Sequence, residues 1–185
     1  FGTGLVETAN DFGQIGEKPS HPELLDWLAV EFRDSGGSMK KLHRLILNSD
    51  TYKQSSQYSS ANSAIDNSNK FLWRKNRRRL DAESLRDSVL IAAGKMNFKM
   101  GGPSFQDFII EKPQHSPHYK YNKSDPDNPA THRRSIYRFL VRSQPQPFMD
   151  ALDCADPSLH VDRRGETTTA LQALALMNNK FMVRM

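Results

Sequence analysis

The sequence predicts a mainly α-helical domain with long loops and a small β element, and an α+β fold is the alternative. Several segments place apolar residues at helical spacing behind capping residues, whereas only two short segments have the composition of strands. Apolar residues make up 37% of the chain and the mean hydropathy is −0.69, so long polar loops must separate the core segments. We expect residues 1–185 to form a single domain.

The first predicted element is a helical hairpin over residues 20–48. Ser20-His21-Pro22-Glu23 has the pattern of a capping box, and apolar residues follow it at helical spacing: Leu24, Leu25, Leu28 and Phe32. Gly36-Gly37 ends this helix, and Ser38 caps a second helix whose apolar face consists of Met39, Leu42, Leu45 and Ile46. Because neither helix can bury its apolar stripe alone, the short connection predicts an antiparallel pair.

Residues 54–69 are rich in serine and asparagine, a composition that buries little apolar surface. We predict a polar linker or an exposed loop here, either mobile or lying irregularly over the core.

The best-signalled helix is the central one, over residues 81–94. Asp81 is a suitable N-cap, Leu80 and Leu85 hold the positions of a hydrophobic staple, and Gly94 is a suitable end. We expect this amphipathic helix to bury the face that consists of Leu85, Val89, Ala92, Ala93 and Met96.

The β element is predicted from two segments, residues 105–110 and residues 135–142, which we expect to pair. Helix is an alternative for the second segment because Ile136, Phe139 and Leu140 also fit helical spacing. A proline-rich surface loop over 112–132 joins them. Pro147 then opens a short helix that Asp156-Pro157 ends, and Thr169 to Gln172 forms the capping box of a last helix that ends at Asn178-Asn179.

Composition excludes several classes of protein. Cys154 is the only cysteine, which rules out an internal disulfide, a cysteine-based zinc site and covalent haem attachment within the chain. The formal net charge of +5 is a mild excess, and no apolar run reaches membrane-spanning length. The chain begins at Phe1 without an initiator methionine, and we expect it to be a fragment of a larger multidomain protein.

The basic run that precedes the central helix is the first candidate for a binding site. Two hypotheses account for it: a patch for phosphate, nucleic acid or another polyanion, or arginines that pair with internal carboxylates such as Glu83 and Asp87. The candidate residues are Trp73, Arg74, Arg77, Arg78, Arg79 and Arg86. We favour internal pairing and do not expect nucleic acid as a partner, because no nucleic-acid-binding motif occurs elsewhere.

The second candidate is the loop that carries His115 and His118, with Asp125, Asp127 and His132 nearby. The His-x-x-His spacing is compatible with a metal ion, but the loop has no regular scaffold to fix the ligands, so we predict no metal site. We interpret it as a substrate-binding loop or a plain surface loop.

The third candidate is a group of aspartates, Asp150, Asp153 and Asp156. Two carboxylates that face a cleft can act as general acid and base on a glycosidic bond. The same composition is typical of a structural ion-pair network with the nearby arginines, which are Arg134, Arg138, Arg142, Arg163 and Arg164. We favour the network.

Several motifs, taken in order, are shared with a known family. They are Phe1-Gly2-x-Gly4-Leu5-Val6, Asn10-Asp11-Phe12-Gly13, His21-Pro22-Glu23-Leu24-Leu25-Asp26-Trp27-Leu28-Ala29, Leu42-His43-Arg44-Leu45-Ile46, Trp73-Arg74-x-Asn76-Arg77-Arg78-Arg79-Leu80, Gly101-Gly102-Pro103, Arg133-Arg134-Ser135-x-Tyr137 and Arg164-x-x-Thr167-Thr168. Over nearly its whole length, the chain resembles the C-terminal domain of unknown function in large planctomycete-type proteins that also carry a cytochrome c-like domain.

The resemblance implies an exported parent protein in the periplasm or at the cell surface, with haem c in a separate domain and no cofactor in this chain. The family has no established catalytic residues, so the resemblance assigns none to this chain and leaves open whether it is an enzyme. Our leading hypothesis is a binding or scaffolding module that contacts other domains of the parent. The alternatives are a polysaccharide-processing enzyme that uses the clustered aspartates, and a polyanion-binding domain that uses residues 74–79.

Overall fold

The computed structural model describes residues 1–111 and 116–185, and these residues form two compact units. The N-terminal unit comprises residues 1–78, and the C-terminal unit comprises residues 79–185. Helices are the main regular structure of both units, and the described residues also contain a small two-stranded antiparallel sheet, which is compatible with the α+β alternative. The single domain over residues 1–185 stays a prediction. No helix in the described ranges is both long and apolar enough to cross a membrane.

The N-terminal unit contains the predicted helical hairpin. Helix α1 spans Pro22–Asp34 and helix α2 spans Met39–Asn48, and the two helices contact each other. The hydroxyl of Ser38 accepts from the backbone N–H of Lys41, so the predicted cap of α2 is confirmed. The capping box at Ser20 is wrong, because α1 begins at Pro22, His21 holds the cap position, and no side chain caps the helix.

The polar segment 54–69 follows the short helix α3, Asp50–Lys53, and contains helix α4, Ser60–Ile65. Ser63, Asp66 and Asn69 are buried within it. Asp66 anchors the next turn, since its carboxylate accepts from the backbone N–H groups of Lys70 and Phe71 at 3.0 and 2.8 Å. The segment therefore contains a short helix and buried polar side chains that are hydrogen-bonded within it and to the residues that follow it.

The C-terminal unit opens with α5, Ala82–Ala92. The predicted cap is confirmed, since the Asp81 carboxylate accepts from the backbone N–H of Ser84 at 2.8 Å, and Gly94 follows the helix with φ +68°. The predicted buried face is displaced by one position, because the fully buried residues of α5 are Ala82, Arg86 and Leu90. Arg86 is buried because backbone carbonyls accept from it, which a hydrophobic pattern does not register.

The predicted pairing of residues 105–110 with residues 135–142 is reduced to one bridge, and the sheet of the described residues forms elsewhere. Strand β1 is Ile109–Glu111 and pairs with β2, His118–Lys120, which lies in the predicted loop. Residues Ser135–Tyr137 form a 3-10 helix instead of a strand. Phe105 makes a single bridge to Arg138. The N–H of Phe105 donates to the carbonyl of Tyr137, and the N–H of Phe139 donates to the carbonyl of Phe105.

Three further helices complete the core of this unit. Helix α6 spans Pro147–Ala151, α7 spans Ala170–Asn178 and α8 spans Lys180–Arg184. Helix α6 ends before the predicted Asp156-Pro157 stop, whereas the capping box of Thr169 and Gln172 and the end of α7 at Asn179 are confirmed. The buried cluster of the unit consists of Ala82, Phe148, Met149 and Leu152, with Leu85 and Phe181 packed against it.

Candidate functional site

The last arginine of the basic run, Arg79, binds groups within the C-terminal unit. Its guanidinium donates to the carbonyl of Thr167 and to the side-chain oxygen of Gln172, both at 2.7 Å, and to the carboxylate of Asp153 at 2.6 Å. These acceptors belong to the loop after α6 and to the first turn of α7. Arg79 therefore joins the entry of α5 to two distant parts of the chain.

Asp153 is the main acceptor of this network. Its carboxylate accepts from the backbone N–H of Thr167 at 2.8 Å and from the Gln172 amide at 3.1 Å, and its own backbone adopts φ +60°. The Thr167 N–H, followed by the Arg79 and Gln172 donors, holds the pKa of Asp153 below its usual value, although burial opposes this. A carboxylate with so many donors serves as a fixed anion rather than as a proton carrier.

The other two predicted aspartates do not share this network. Asp150 is exposed in the first turn of α6, and the Asp156 carboxylate accepts from the N–H and the hydroxyl of Ser158. Asp150 and Asp156 border a cavity of about 20 Å³ that Tyr121, Arg138 and Cys154 also line. Such a volume holds about one water molecule and is far too small for a saccharide.

Arg86 is the buried centre of the C-terminal unit, with a side chain only 6% exposed. It donates to the carbonyls of Thr131 and Arg133 at 2.6 and 3.0 Å and lies 3.6 Å from the Asp87 carboxylate. Burial lowers the pKa of this guanidinium, and the charges of Asp107 and Asp87 oppose that change. The Asp87 carboxylate accepts in turn from the N–H and the hydroxyl of Ser135, so α5 fixes the segment from residue 131 to residue 135.

Asp107 and Arg138 form a buried pair that sequence reasoning missed. An Arg138 nitrogen lies 3.8 Å from one Asp107 oxygen, and the second oxygen, Oδ1, is buried with no hydrogen-bond donor among the described residues. Burial raises the pKa of Asp107, although Arg138 and Arg86 oppose the rise. The sequence signal that could have indicated this pair is Asp107 itself, the single carboxylate within the apolar run Phe105 to Ile110. A charged residue in a core segment needs a partner of opposite charge.

Glu83 pairs with Arg164 rather than with Arg86 on its own helix. Arg164 donates to both Glu83 oxygens, at 2.6 and 3.1 Å, and the Cys154 thiol contacts one of them at 3.6 Å. Burial opposes ionisation of Glu83, but the hydrogen bonds and charge of Arg164 outweigh it and lower the pKa of the carboxyl. Burial and the Glu83 charge raise the pKa of Cys154 to about 11, which leaves the thiol protonated and unreactive.

The histidine loop does not assemble a metal site in the part of the chain that the structure describes. His115 lies outside the described residues, His118 is exposed on β2, and buried His132 contacts the carbonyl of Pro126 at 2.7 Å. Asp125 accepts from the N–H of Asp127, whose carboxylate lies 3.4 Å from Lys95. Within residues 1–111 and 116–185, no three His, Cys, Asp or Glu side chains are close enough together to hold a metal ion.

The remaining members of the basic run belong to the N-terminal unit. The Arg74 guanidinium lies over the ring of Trp73 at 4.8 Å and over that of Tyr58 at 5.6 Å. Lys75 lies over the ring of Tyr52 at 3.5 Å, and Arg77 and Arg78 are exposed. The run thus divides into cations stacked on aromatic rings, the exposed Arg77 and Arg78, and Arg79, whose guanidinium donates to acceptors of the C-terminal unit.

A second feature of the N-terminal unit is the apolar face of the hairpin. No residue of α1 or α2 is buried, and Trp27 is 51% exposed. The face borders a groove of about 860 Å³ lined by apolar side chains of both helices, among them Leu24, Trp27, Phe32, Leu42 and Leu45. We call this surface the hairpin groove. Contiguous apolar surface of this kind marks binding surfaces in soluble proteins.

These features define a class of protein in which helices are the main regular structure, charged residues of the C-terminal unit join the loops of that unit, and a helical hairpin in the N-terminal unit leaves an apolar face uncovered. The chain belongs to the family PSD1, described as a protein of unknown function (DUF1553), and the family model matches residues 1–185. No curated protein and no solved structure matches the chain. The resemblance inferred from the motifs is therefore confirmed at the level of a domain of unknown function, and its link to planctomycete cytochrome c proteins stays a prediction.

Proposed function

We propose that the chain is a non-enzymatic binding or scaffolding module that docks another domain of a larger protein in its hairpin groove. We propose further that this parent protein lies outside the cytoplasm, in the periplasm or at the cell surface, and carries haem c in a separate domain. The observation that carries the docking proposal is that a helical hairpin with two amphipathic stripes has no buried residue.

The energetics of the hairpin support a docking role. Helices of 13 and 10 residues are marginal in water by themselves, and they depend on packing of their apolar faces. Each large apolar side chain gains roughly 1.5–3 kcal/mol when it passes from full exposure to full burial. A partner that covers Leu24, Trp27 and Leu45, which are 40%, 51% and 37% exposed, supplies a part of that free energy at each position.

Charge at the border of the groove gives the partner an orientation. Glu31 of α1 and Lys41 and Arg44 of α2 line the groove together with the apolar side chains. Opposite charges on the two helices favour a partner whose own charges are arranged in the complementary sense.

The arrangement of the aspartates supports a non-enzymatic role. Asp153 already accepts from Arg79, Thr167 and Gln172, and the cavity beside Asp150 and Asp156 has room for about one water molecule. In the described residues, no observation favours the polysaccharide-processing alternative. Incubation with a panel of polysaccharides should release no new reducing ends, and turnover that Asp150→Ala abolishes would refute the proposal.

The docking proposal is tested by hydrogen exchange of the isolated chain and of the natural full-length protein. We expect the amides of α1 and α2 to exchange about tenfold or more slowly in the full-length protein, because docking suppresses local opening. The amides around Leu90, a fully buried residue of α5, serve as the internal reference. Equal exchange of the hairpin in both proteins contradicts docking.

A matched pair of variants sharpens the test. Trp27 lines the groove, whereas Val30 lies on the same helix outside the groove with a similar exposure of 46%. We expect Trp27→Gln to lower the Tm of the full-length protein and Val30→Gln to leave it within error, with little effect of either change on the isolated chain. Equal effects of the two changes in the full-length protein would show that the groove has no docking role.

A further inference from the structure

We infer that Tyr58, Trp73 and Arg74 form a binding site for an anionic saccharide, a sugar ring that carries a carboxylate or a sulfate. This site is separate from the hairpin groove, since none of its three residues lines that groove. The inference therefore stands independently of the docking proposal.

The site is a stack of one guanidinium and two aromatic rings. The rings of Tyr58 and Trp73 lie 6.4 Å apart at 65°, and the guanidinium carbon of Arg74 lies over both of them. Tyr58 is 65% exposed, so its ring offers an accessible flat surface. The C–H face of a sugar ring packs favourably on such a surface, because the face of an aromatic ring is electron-rich.

Arg74 differs from the other arginines of the chain that bind internal groups. Arg79, Arg86, Arg133, Arg138 and Arg164 each donate to or pair with oxygen atoms of their own unit. In the described part of the chain, no oxygen accepts from the Arg74 guanidinium, and its Nε atom is buried without an acceptor. A guanidinium held by rings alone keeps the N–H donors of its two terminal nitrogens for a planar oxyanion, which these nitrogens can bind in a bidentate manner.

The backbone beneath the stack is fixed before any ligand binds. The Asn69 side chain accepts from the N–H of Arg74 at 3.2 Å and donates to its carbonyl at 2.8 Å, and the indole N–H of Trp73 donates to the carbonyl of Asp66 at 2.8 Å. Asn69 and Leu72 adopt φ +57° and +54°. Positive φ at a residue such as Leu72 costs free energy and is typical of segments that a binding function constrains.

The number of cations favours a saccharide over a nucleic acid. Binding to a nucleic acid commonly neutralises about 6–10 phosphates through a row of lysines and arginines. Here Lys75 is stacked on Tyr52, and Arg79 binds acceptors in the C-terminal unit, so the run falls short of such a row even when the exposed Arg77 and Arg78 are counted. One guanidinium beside an exposed ring suits a ligand with sparse charge and a flat apolar face, as in a uronic acid or a sulfated sugar.

The test measures binding of the whole chain to four probes: polygalacturonate, which carries carboxylates, dextran sulfate, neutral dextran, and a single-stranded oligothymidylate. We expect binding to at least one of the two anionic polysaccharides and none to neutral dextran. Arg74→Ala and Tyr58→Ser should each weaken that binding about tenfold, and Arg74→Lys should also weaken it because lysine lacks the fork. The two polysaccharides decide between carboxylate and sulfate as the recognised group.

Arg77→Ala is the matched control, since Arg77 is an exposed arginine of the same run. We expect it to change affinity less than about twofold. Equal losses for Arg77→Ala and Arg74→Ala, equal binding of neutral dextran, tighter binding of the oligothymidylate, or no binding to either anionic polysaccharide would each overturn the inference. If Arg74→Ala fails to fold, Tyr58→Ser decides alone, because that ring is mostly exposed.

Discussion

Arg79 donates to Asp153 across 2.6 Å, although 74 residues of sequence separate them. This contact joins the residue that precedes α5 to the turn that follows α6, and Thr167 and Gln172 bring the start of α7 to the same carboxylate. Three parts of the C-terminal unit therefore depend on one anion.

The first prediction is that loss of this anion destabilises the fold. Asp153→Asn keeps a side chain that tolerates the positive φ but removes the charge that Arg79 and Thr167 contact. We expect the free energy of unfolding in urea to fall by about 1.5–3 kcal/mol, the usual range for hydrogen bonds to charged groups. Asp150→Ala is the control, because an exposed aspartate of α6 should change the same quantity by less than about 0.5 kcal/mol. A larger effect at Asp150 than at Asp153 contradicts the prediction.

The second prediction concerns the pH dependence of this contribution. The pKa of Asp153 is lowered in the folded chain from the ordinary 3.8, so the folded state holds the proton less tightly than the unfolded state does. Its stabilising contribution is therefore fully present above the unfolded pKa and is lost as the pH falls through the lower, folded pKa. We expect the stability difference between wild type and Asp153→Asn to be constant from neutral pH to about pH 5 and to shrink below about pH 4. A difference that grows on acidification would contradict this assignment.

Local signals in the sequence were sufficient to predict where several helices begin or end. The Asp81 cap, the Ser38 cap and the Thr169 capping box depend on side chains within three residues of the N–H groups that they bind, so a short window contains the whole interaction. The same holds for Gly94, which takes the positive φ that ends α5. The predicted cap at Ser20 was wrong because α1 begins one residue later than the pattern suggests.

Contacts with residues distant in sequence determine the local structure that the sequence pattern did not predict. Residues 135–142 have the composition of a strand, but the Asp87 carboxylate binds the N–H and hydroxyl of Ser135 and fixes a 3-10 turn there. Arg86 takes a buried position on α5 because the carbonyls of Thr131 and Arg133 accept from it. Neither partner lies within 40 residues of the arginine, so no periodicity could indicate the contact.

The candidate sites also depended partly on local sequence signals and partly on partners that are distant in sequence. The basic run was found from composition, yet the different roles of Arg74 and Arg79 depend on Tyr58 in one unit and on Asp153 in the other. Asp107 escaped notice because its partners, Arg138 and Arg86, are distant in sequence.

The third prediction is that Arg86 holds residues 131–135 in place. Arg86→Met preserves much of the apolar volume but leaves the carbonyls of Thr131 and Arg133 without their donor. We expect the free energy of unfolding to fall by about 3–5 kcal/mol, because removal of one buried charged partner leaves the other groups uncompensated. Amide exchange should become faster at Thr131 to Ser135 before it changes elsewhere. Arg134→Ala, a change at an exposed neighbour, is the control, and equal loss of protection in both variants contradicts the prediction.

The fourth prediction is that Cys154 resists alkylation in the folded chain. Its pKa of about 11, against an ordinary value of 9.0, follows from burial and from the Glu83 carboxylate beside the thiol. At pH 8 the thiolate fraction should be about one in a thousand when folded and about one in ten when unfolded, so iodoacetamide should react about a hundredfold more slowly with the folded chain. Glu83→Gln removes the negative charge next to the sulfur and should partly restore the reactivity, whereas Asp150→Ala, which leaves Glu83 in place, should not. Equal rates in the folded chain and in urea would show that the thiol is neither buried nor influenced by Glu83.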